Sequence, residues 1–298
     1  MKLSDSLDKR DDRILSILNP DSELAVVGSG FEFTEGPVWD HNNQSLIFSD
    51  MPGNKMRKWT EAGGVESYRD PSNMANGNAY DSSGRLVTCE HATSRVTRTE
   101  NNGEITVLAS HYEGKELNSP NDIIVSKKGA IYFTDPTFGR MEYYGVLREC
   151  EMEVRGVYMI DDSGNLTLLV EDFDQPNGLC FSDDESKLFV NDSMKSHIRV
   201  FDVNSDGTLS GGAVWAILES DGEGVPDGMK IDMDGNMYCC GPGGIHILDS
   251  NGTSLGVIGI PEAAANFTWG ESDMKSLFIT ASSSLYKIRV KIPGRLAY

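Results

Sequence analysis

The sequence predicts an all-β fold, a six-bladed β-propeller of four-stranded blades, on three observations. The first is an internal repeat in which a polar corner precedes a short apolar strand, a polar turn and a second strand. The second is the spacing of the repeats, which start at residues 35, 76, 121, 177, 227 and 266, close to the roughly 40 to 50 residues per blade of propellers. The third is an alternating third strand behind each hairpin. Six such units fill residues 1–298, so we expect one domain.

The six hairpins share this pattern and read EGPVWDHNNQSLIFSDM from 35, NGNAYDSSGRLVTCEH from 76, NDIIVSKKGAIYFTDP from 121, NGLCFSDDESKLFVNDS from 177, DGMKIDMDGNMYCCGP from 227 and NFTWGESDMKSLFITAS from 266. A fourth strand follows in every repeat except the sixth. The segment ELAVVG at residues 23–28 precedes the first corner and belongs to no repeat. We therefore expect it to complete the last blade and close the ring, which leaves only short outer edges.

Two segments lie outside the predicted blades. Residues 1–22 form an N-terminal extension, in which the apolar residues of the segment 8–18 predict a short helix that caps one face. The polar segment at residues 138–155 predicts a long loop over one face, and such loops often form lids or substrate walls. A division into two domains finds no support, because no linker or shift in composition separates two halves.

Composition excludes several classes of partner. Lys and Arg number 26 against 46 Asp and Glu, for a formal net charge of −20. This balance argues against nucleic acid and gives no reason to expect an anionic membrane, so we expect a small molecule or a cation. The five cysteines are an odd number in mostly apolar runs, as is typical of free thiols. Without a signal-peptide pattern or about 18 consecutive apolar residues, the chain is predicted to be cytoplasmic.

Each repeat places an oxygen-bearing side chain at its corner, and the six corner residues are Glu35, Asn76, Asn121, Asn177, Asp227 and Asn266. The first strand of a blade lies nearest the propeller axis, so these side chains should converge on one mouth of the channel. Turn chemistry alone is an alternative interpretation, because Asn-Gly, Asp-Gly and Pro-Asn are typical of turns. Against it, no corner is Gly or Ser, and Glu35 is a poor turn former.

The corner set predicts a site for one divalent cation. Two carboxylates held close together cannot both stay ionised without a counter-charge, and their charge matches a divalent ion. Carboxylate and amide oxygens favour Ca²⁺, Mg²⁺ or Mn²⁺ over softer metals. Zn²⁺ remains an alternative, although no HExxH or CxxC motif points to it.

At these residues the chain resembles the senescence-marker-protein, gluconolactonase and luciferin-regenerating-enzyme family, its bacterial sugar-lactone hydrolases most of all. Motifs that match that family in order and spacing run over nearly the whole chain: FTEGPVW, LIFSD, CEH, LNSPND, YFTDP, GVY, PNGL, HIRVFDV, PDGMKID and LFITASSSLYKI. The resemblance implies a six-bladed propeller with one divalent ion, Ca²⁺ first, in its channel. It places metal ligands at Glu35, Asn177 and Asp227, with Asn121 as a further ligand or a substrate contact.

The resemblance also implies metal-dependent hydrolysis of a lactone, with a sugar-acid lactone such as gluconolactone as the small-molecule substrate. In this hypothesis the ion polarises the carbonyl, Asp227 is the general base acting on a metal-activated water, and Asn121 orients the substrate. Fluorophosphatase-like relatives share the pattern of Glu, Asn, Asn and Asp, so phosphoesters are an alternative substrate class. A non-catalytic propeller scaffold with a structural ion is the other alternative.

Four further residues are weaker candidates for substrate contacts. Glu90 and His91 end the second strand of the second repeat, although an isolated histidine is more often structural. Arg140 lies on the long loop, where a charged side chain is more often solvated. Trp269 stands where the family usually has a different side chain. Oligomeric state has no signature in the sequence.

Overall fold

The computed structural model describes residues 1–296. In that range the strands form six antiparallel sheets arranged as the blades of a propeller, together with one small hairpin, His111–Tyr112 with Lys115–Glu116. The predicted fold class is confirmed. No helix among these residues is long and apolar enough to cross a membrane.

The strands of each blade run outward from the channel in chain order, except that blades 5 and 6 take their outermost strands from the N-terminal region. Blade 1 comprises Thr34–Asp40, Ser45–Asp50, Lys55–Thr60 and Gly64–Arg69. Blade 2 comprises Ala75–Tyr80, Leu86–Glu90, Arg95–Thr99 and Ile105–Ala109. Blade 3 comprises Ile123–Val125, Ile131–Asp135, Gly156–Ile160 and Leu166–Val170. Blade 4 comprises Pro176–Phe181, Lys187–Asp192, His197–Val203 and Leu209–Ile217. Blade 5 comprises Met229–Ile231, Met237–Gly241, Gly244–Leu248 and Ser254–Ile258. Blade 6 comprises Ala264–Gly270, Ser276–Ala281 and Ser284–Arg289, joined by Ala25–Ser29.

The N-terminal region closes the ring as predicted. The strand Ala25–Ser29 pairs antiparallel with Ser284–Arg289, with Ser29 opposite Ser284 and Ala25 opposite Lys287. This pairing gives blade 6 its fourth strand, so backbone hydrogen bonds of one sheet join the segment before the first repeat to the last repeat.

The first eighteen residues differ from the predicted helix. Only Ile14–Ile17 is α-helical, and Leu3–Asp5 forms a 3₁₀ turn. The strand Leu7–Lys9 pairs instead with Ser254–Ile258, which makes blade 5 five-stranded. A short isolated helix is marginal in water, whereas the edge of blade 5 offers unpaired backbone groups that an extended segment can satisfy. The buried side chains of Ile14 and Ile17 then pack into the core cluster shared by blades 1, 5 and 6.

Glycines that follow the corners allow neighbouring inner strands to approach closely. A Cβ atom on Gly36 would lie 1.9 Å from the backbone oxygen of Asn76, and one on Gly178 would lie 2.1 Å from that of Asp227. Gly36 also has a φ of +51°, which side-chain-bearing residues rarely adopt. The corner-glycine pairs of the sequence are therefore required by backbone packing around the channel, and this packing brings the corner side chains together.

Candidate active site at the mouth of the channel

A cavity of about 280 Å³ lies at one mouth of the channel, and five of the six corner residues line it. They are Glu35, Asn76, Asn121, Asn177 and Asp227. The structure thus brings together side chains from blades 1 to 5 that the sequence placed at equivalent corners.

The sixth corner residue lies deeper in the channel and does not line the cavity. The Asn266 amide nitrogen Nδ2 donates to Glu35 Oε2 at 3.1 Å, and its oxygen Oδ1 accepts from Lys230 Nζ at 2.8 Å. Because Lys230 can only donate, it fixes which end of the amide faces Glu35. Asn266 therefore acts here as a hydrogen-bond donor to a carboxylate, with its oxygen turned away from the cavity.

The two corner carboxylates are neighbours, and the pKa of each is raised. Burial, and next the charge of Asp122, raises the pKa of Glu35 to about 7. Burial, followed by the adjacent Glu35, raises the pKa of Asp227 well above its ordinary value. Two carboxyl groups this close hold a proton between them unless a cation supplies the missing positive charge.

The orientation of the Asn177 amide follows from its neighbours. The hydroxyl of Ser193 donates to the backbone oxygen of Pro226 at 2.6 Å, so its oxygen is free to accept. Asn177 Nδ2 donates to this oxygen at 3.1 Å. The opposite end of the amide, Asn177 Oδ1, is buried without a hydrogen-bond partner. An unsatisfied buried oxygen at a cavity that also holds two carboxylates is suited to a ligand or an ion.

The donor set fits a hard divalent cation. Glu35 and Asp227 supply carboxylate oxygens, and Asn76 Oδ1 is a second buried amide oxygen without a partner, like that of Asn177. Such oxygens suit Ca²⁺, Mg²⁺ or Mn²⁺. Within residues 1–296 no group of three or more His, Cys, Asp or Glu side chains could hold a metal ion, so a site here depends on the amides to complete the coordination.

The walls of the cavity are mostly apolar, and part of them comes from the long loop between the second and third strands of blade 3. We call residues 138–146 the strap. Phe138 and Tyr144 of the strap line the cavity, and the ring of Tyr144 packs edge-on against Phe33 with 5.3 Å between ring centroids. Tyr143 Oη donates to the backbone oxygen of Glu32 at 3.0 Å, which ties the strap to blade 1. The remaining wall residues are Met51, Gly224, Val225 and residues 263–265.

Three of the weaker candidates lie elsewhere. Glu90 is fully buried in ion pairs with Arg69 and Arg95, the latter at 2.7 Å, and does not line the cavity. Arg140 is buried too, and its guanidinium donates to the backbone oxygen of Asn118 at 2.5 Å and thereby anchors the strap. Charged side chains at these two positions were predicted to meet substrate or solvent, but each is held by protein partners.

Trp269 faces the opposite mouth of the channel. It lines a second cavity of about 540 Å³ there, and its ring packs against Tyr238 with 5.0 Å between centroids. Of the four weaker candidates only His91 lines the first cavity. Its ring nitrogens contact Asn76 Nδ2 at 3.1 Å and the backbone oxygen of Tyr144 at 2.8 Å, and burial lowers its pKa to about 4.

Sequence reasoning missed several residues that shape the site. Ser193 and Lys230 orient corner amides but lie sixteen residues after one corner and three after another, where no motif marks them. Asp122 occupies the position that glycine takes in four other repeats, and burial raises its pKa. This replacement of the usual glycine was a signal available in the sequence. The aromatic residues of the strap were also visible, as an unusual cluster in a polar loop.

Residues 33–283 match the family model described as SMP-30/Gluconolactonase/LRE-like region. The chain belongs to this family. Membership agrees with the resemblance in the sequence motifs, and the family match spans the repeats from blade 1 to the middle of blade 6.

Two gluconolactonases and one fold relative align with this chain over most of their length. A gluconolactonase of Zymomonas mobilis is 35% identical, with 95% of this chain and 85% of that protein aligned. The structure of a gluconolactonase from Xanthomonas campestris superposes with a TM-score of 0.88 at 33% identity, covering 96% and 95% of the two chains. A calcium-binding regucalcin from Agrobacterium tumefaciens has a TM-score of 0.75 at 17% identity over 91% and 95%, a likeness of fold alone.

Proposed function

We propose that this protein hydrolyses lactones in a reaction that depends on a divalent cation, with a sugar-acid lactone such as gluconolactone as the substrate. The observation that carries the proposal is the convergence of two carboxylates and the corner amides on one cavity, in a chain related at 35% identity to a gluconolactonase. The family relationship supports lactone hydrolysis, and the donor chemistry supports the requirement for a cation.

The cation would be held by Glu35, Asn177 and Asp227, with Asn121 as a further ligand or a substrate contact. Ca²⁺ is the first choice, because all these donors are oxygens and a fold relative is a calcium-binding regucalcin. When bound, the cation supplies Lewis-acid polarisation of the lactone carbonyl and lowers the pKa of water. Mg²⁺, Mn²⁺ and Zn²⁺ are the alternatives that the experiment below compares.

Asp227 acts as the general base. Among the acidic residues that line the cavity it is the more accessible, because Glu35 is buried and also accepts from Asn266. Asp227 takes a proton from the attacking water as a bond forms to the carbonyl carbon. The ring C–O bond then breaks, and the proton passes to the departing ring oxygen, which yields the open hydroxy acid. General-base catalysis by a positioned carboxylate contributes typically about 10² to 10⁴ in rate.

The walls bind the body of the substrate. Phe33, Phe138 and Tyr144 present aromatic surface on which the C–H face of a sugar lactone can pack. Among the lining residues that the structure describes there is no Lys or Arg side chain, so nothing in the wall compensates a negative charge on the substrate. The cavity therefore favours an uncharged lactone.

The test removes metal with a chelator and restores Ca²⁺, Mg²⁺, Mn²⁺ or Zn²⁺ one at a time. Each form is then assayed with gluconolactone, an aromatic lactone and a fluorophosphate. We expect gluconolactone hydrolysis to require an ion and to recover best with Ca²⁺. Fluorophosphate turnover above lactone turnover would favour the phosphoester alternative, and no turnover with any ion would favour the scaffold alternative.

A further inference from the structure

His91 occupies a junction between the corner amides and the strap. It is fully buried just after the second strand of blade 2, next to Asn76 and Asn121. Its Nε2 lies 3.1 Å from Asn76 Nδ2 and 3.5 Å from Asn121 Nδ2, and its Nδ1 lies 2.8 Å from the backbone oxygen of Tyr144. A single imidazole thus contacts two channel amides and one residue of the cavity wall.

The surroundings of the ring determine its tautomer. A backbone oxygen can only accept, so Nδ1 must carry the proton that it donates to Tyr144. The ring is fully buried, and the groups at its two nitrogens are amides and a backbone oxygen, none of them an anion, so a positive charge would be uncompensated and the ring is neutral. In a neutral ring with Nδ1 protonated, Nε2 has a lone pair and can only accept. Both amide groups must therefore turn their NH₂ ends toward His91.

The oxygens of the two amides consequently point away from the ring. Asn76 Oδ1 is buried without any hydrogen-bond partner, as expected if its partner is an ion or a ligand. Ser193 holds the Asn177 amide by its nitrogen in the same way. Three corner amides thus share one arrangement, in which a protein acceptor holds the nitrogen and the oxygen stays available.

We propose that His91 is a positioning residue that turns the amide oxygens of Asn76 and Asn121 toward the channel axis, and that Asn76 thereby joins the oxygens that hold the cation. This inference rests on the proposed function, since it concerns the same cation. It assigns no proton transfer to His91, because both ring nitrogens are already engaged. Residues that orient metal ligands in this way typically contribute about 10- to 100-fold to metal affinity.

The same ring fixes part of the substrate wall. Its Nδ1–H holds the backbone of Tyr144, whose side chain lines the cavity, and Gly139 of the strap packs directly over the ring. A Cβ atom on Gly139 would lie 2.7 Å from His91 Cγ, so only glycine fits there. Loss of the imidazole should therefore affect the cation and the substrate wall together.

Two substitutions at His91 distinguish the effect of its hydrogen bonds from the effect of filling the same space with a side chain. His91→Gln keeps one acceptor for the amides and one donor for Tyr144, whereas His91→Leu keeps neither. His246→Leu is the matched control, because His246 is also buried, contacts the backbone oxygen of Pro242 at 2.9 Å, and does not line this cavity.

Calorimetric titration of chelator-treated protein with Ca²⁺ alone measures the effect without any substrate. We expect His91→Leu to weaken Ca²⁺ binding by about 10- to 100-fold, with most of the affinity kept in His91→Gln and in the His246 control. Asn76→Leu should weaken binding too, and the double variant of His91→Leu and Asn76→Leu should be little worse than His91→Leu alone, because His91→Leu already disturbs the oxygen of Asn76.

A second measurement does not depend on metal. Long-range ¹⁵N–¹H spectra of the metal-free protein at neutral pH should show His91 protonated at Nδ1 and unprotonated at Nε2. The Nε2–H tautomer, or wild-type Ca²⁺ affinity in folded His91→Leu, would overturn the role of His91 while lactone hydrolysis by the wild type still stood. A wild type that binds none of Ca²⁺, Mg²⁺ and Mn²⁺ would overturn the proposed function and the role of His91 with it.

Discussion

The side chain of Asn266 donates a hydrogen bond to Glu35 Oε2 at 3.1 Å, although the two residues lie 231 positions apart in the sequence. Glu35 belongs to the first blade and Asn266 to the last, so this bond crosses the seam where the ring closes. Lys230 of blade 5 holds the other end of the Asn266 amide. One amide therefore joins the closure of the ring to the geometry of the candidate cation site.

Replacement of Asn266 by leucine tests whether this hydrogen bond stabilises the closed ring. Asn266→Leu has a similar size but leaves Glu35 and Lys230 without this partner, so we expect the free energy of unfolding to fall by about 1 to 3 kcal/mol. Urea denaturation of the metal-free protein measures it. A variant as stable as the wild type would show that the amide contributes nothing to ring closure.

Replacement of Asp227 tests the general base. Asp227→Asn preserves shape but cannot accept the proton of water, so we expect kcat for gluconolactone to fall by about 10² to 10⁴. Asp234→Asn is the control, because Asp234 is an exposed residue of the same blade. Ca²⁺ titration of both variants separates loss of catalysis from loss of the ion. If Asp227→Asn retains both Ca²⁺ binding and activity, the role assigned to Asp227 is wrong.

Ser193 offers a test of amide orientation that is independent of His91. Without the hydroxyl, the Asn177 amide can rotate and present nitrogen to the cavity. The lost hydrogen bond is worth about 1 kcal/mol, so Ser193→Ala should weaken Ca²⁺ binding several-fold. Ser193→Thr, which restores a hydroxyl, should recover part of the affinity. Ser163→Ala, on an exposed turn, should bind Ca²⁺ like the wild type.

Glu90 is expected to stabilise the fold without taking part in catalysis. Burial alone would raise its pKa, but hydrogen bonds from Thr93, Arg69 and Arg95 lower it overall. A carboxyl whose pKa is depressed in the folded state stabilises above its ordinary pKa and loses that contribution as pH falls. Glu90→Gln should therefore cost about 3 kcal/mol at pH 7 and progressively less in acid.

Urea denaturation of wild type and Glu90→Gln from pH 7 down through the ordinary pKa of glutamate measures this difference. Gluconolactone turnover per folded molecule should be the same in both proteins, since Glu90 does not line the cavity. A fall in kcat without loss of stability would restore Glu90 as a substrate contact.

The charge of the substrate is a further prediction. The described lining contains two carboxylates and no Lys or Arg, so a phosphate on the lactone would meet no compensating side chain. Placing like charges together costs several kcal/mol, and we expect kcat/KM for the 6-phosphate of gluconolactone to be lower than for gluconolactone by roughly tenfold or more. Equal values for the two lactones would contradict a preference for uncharged substrates.

The sequence predicted the parts of the structure that repeat. Hairpin spacing identified six blades, and the unpaired segment before the first corner identified the closing strand Ala25–Ser29. The corners Glu35 and Asp227 were placed at one mouth because equivalent positions in every blade occupy equivalent positions around an axis. These predictions follow from the periodicity of the sequence, so they required no knowledge of individual contacts.

The parts that differ between blades could not be predicted in this way. Asn177 and Asn266 occupy equivalent corners, yet Ser193 leaves one amide oxygen free and Lys230 occupies the other. Arg140 looked like a surface residue of a polar loop, but backbone oxygens from a distant segment bury it. The orientation of an amide and the burial of a charged side chain depend on single contacts between residues far apart in the sequence. A pattern of residue types does not reveal such contacts.

Because Ala25–Ser29 completes the last blade, the ring can close only after Ser284–Arg289 has been synthesised. That strand leaves the ribosome early, but its partner Ser284–Arg289 emerges only after all the other blades. Since chains emerge from the N-terminus at about 5 to 20 residues per second, the strand waits unpaired for on the order of ten to fifty seconds. During that time the nascent chain carries an open ring with an exposed edge, and the ring can close only once Ser284–Arg289 has been translated.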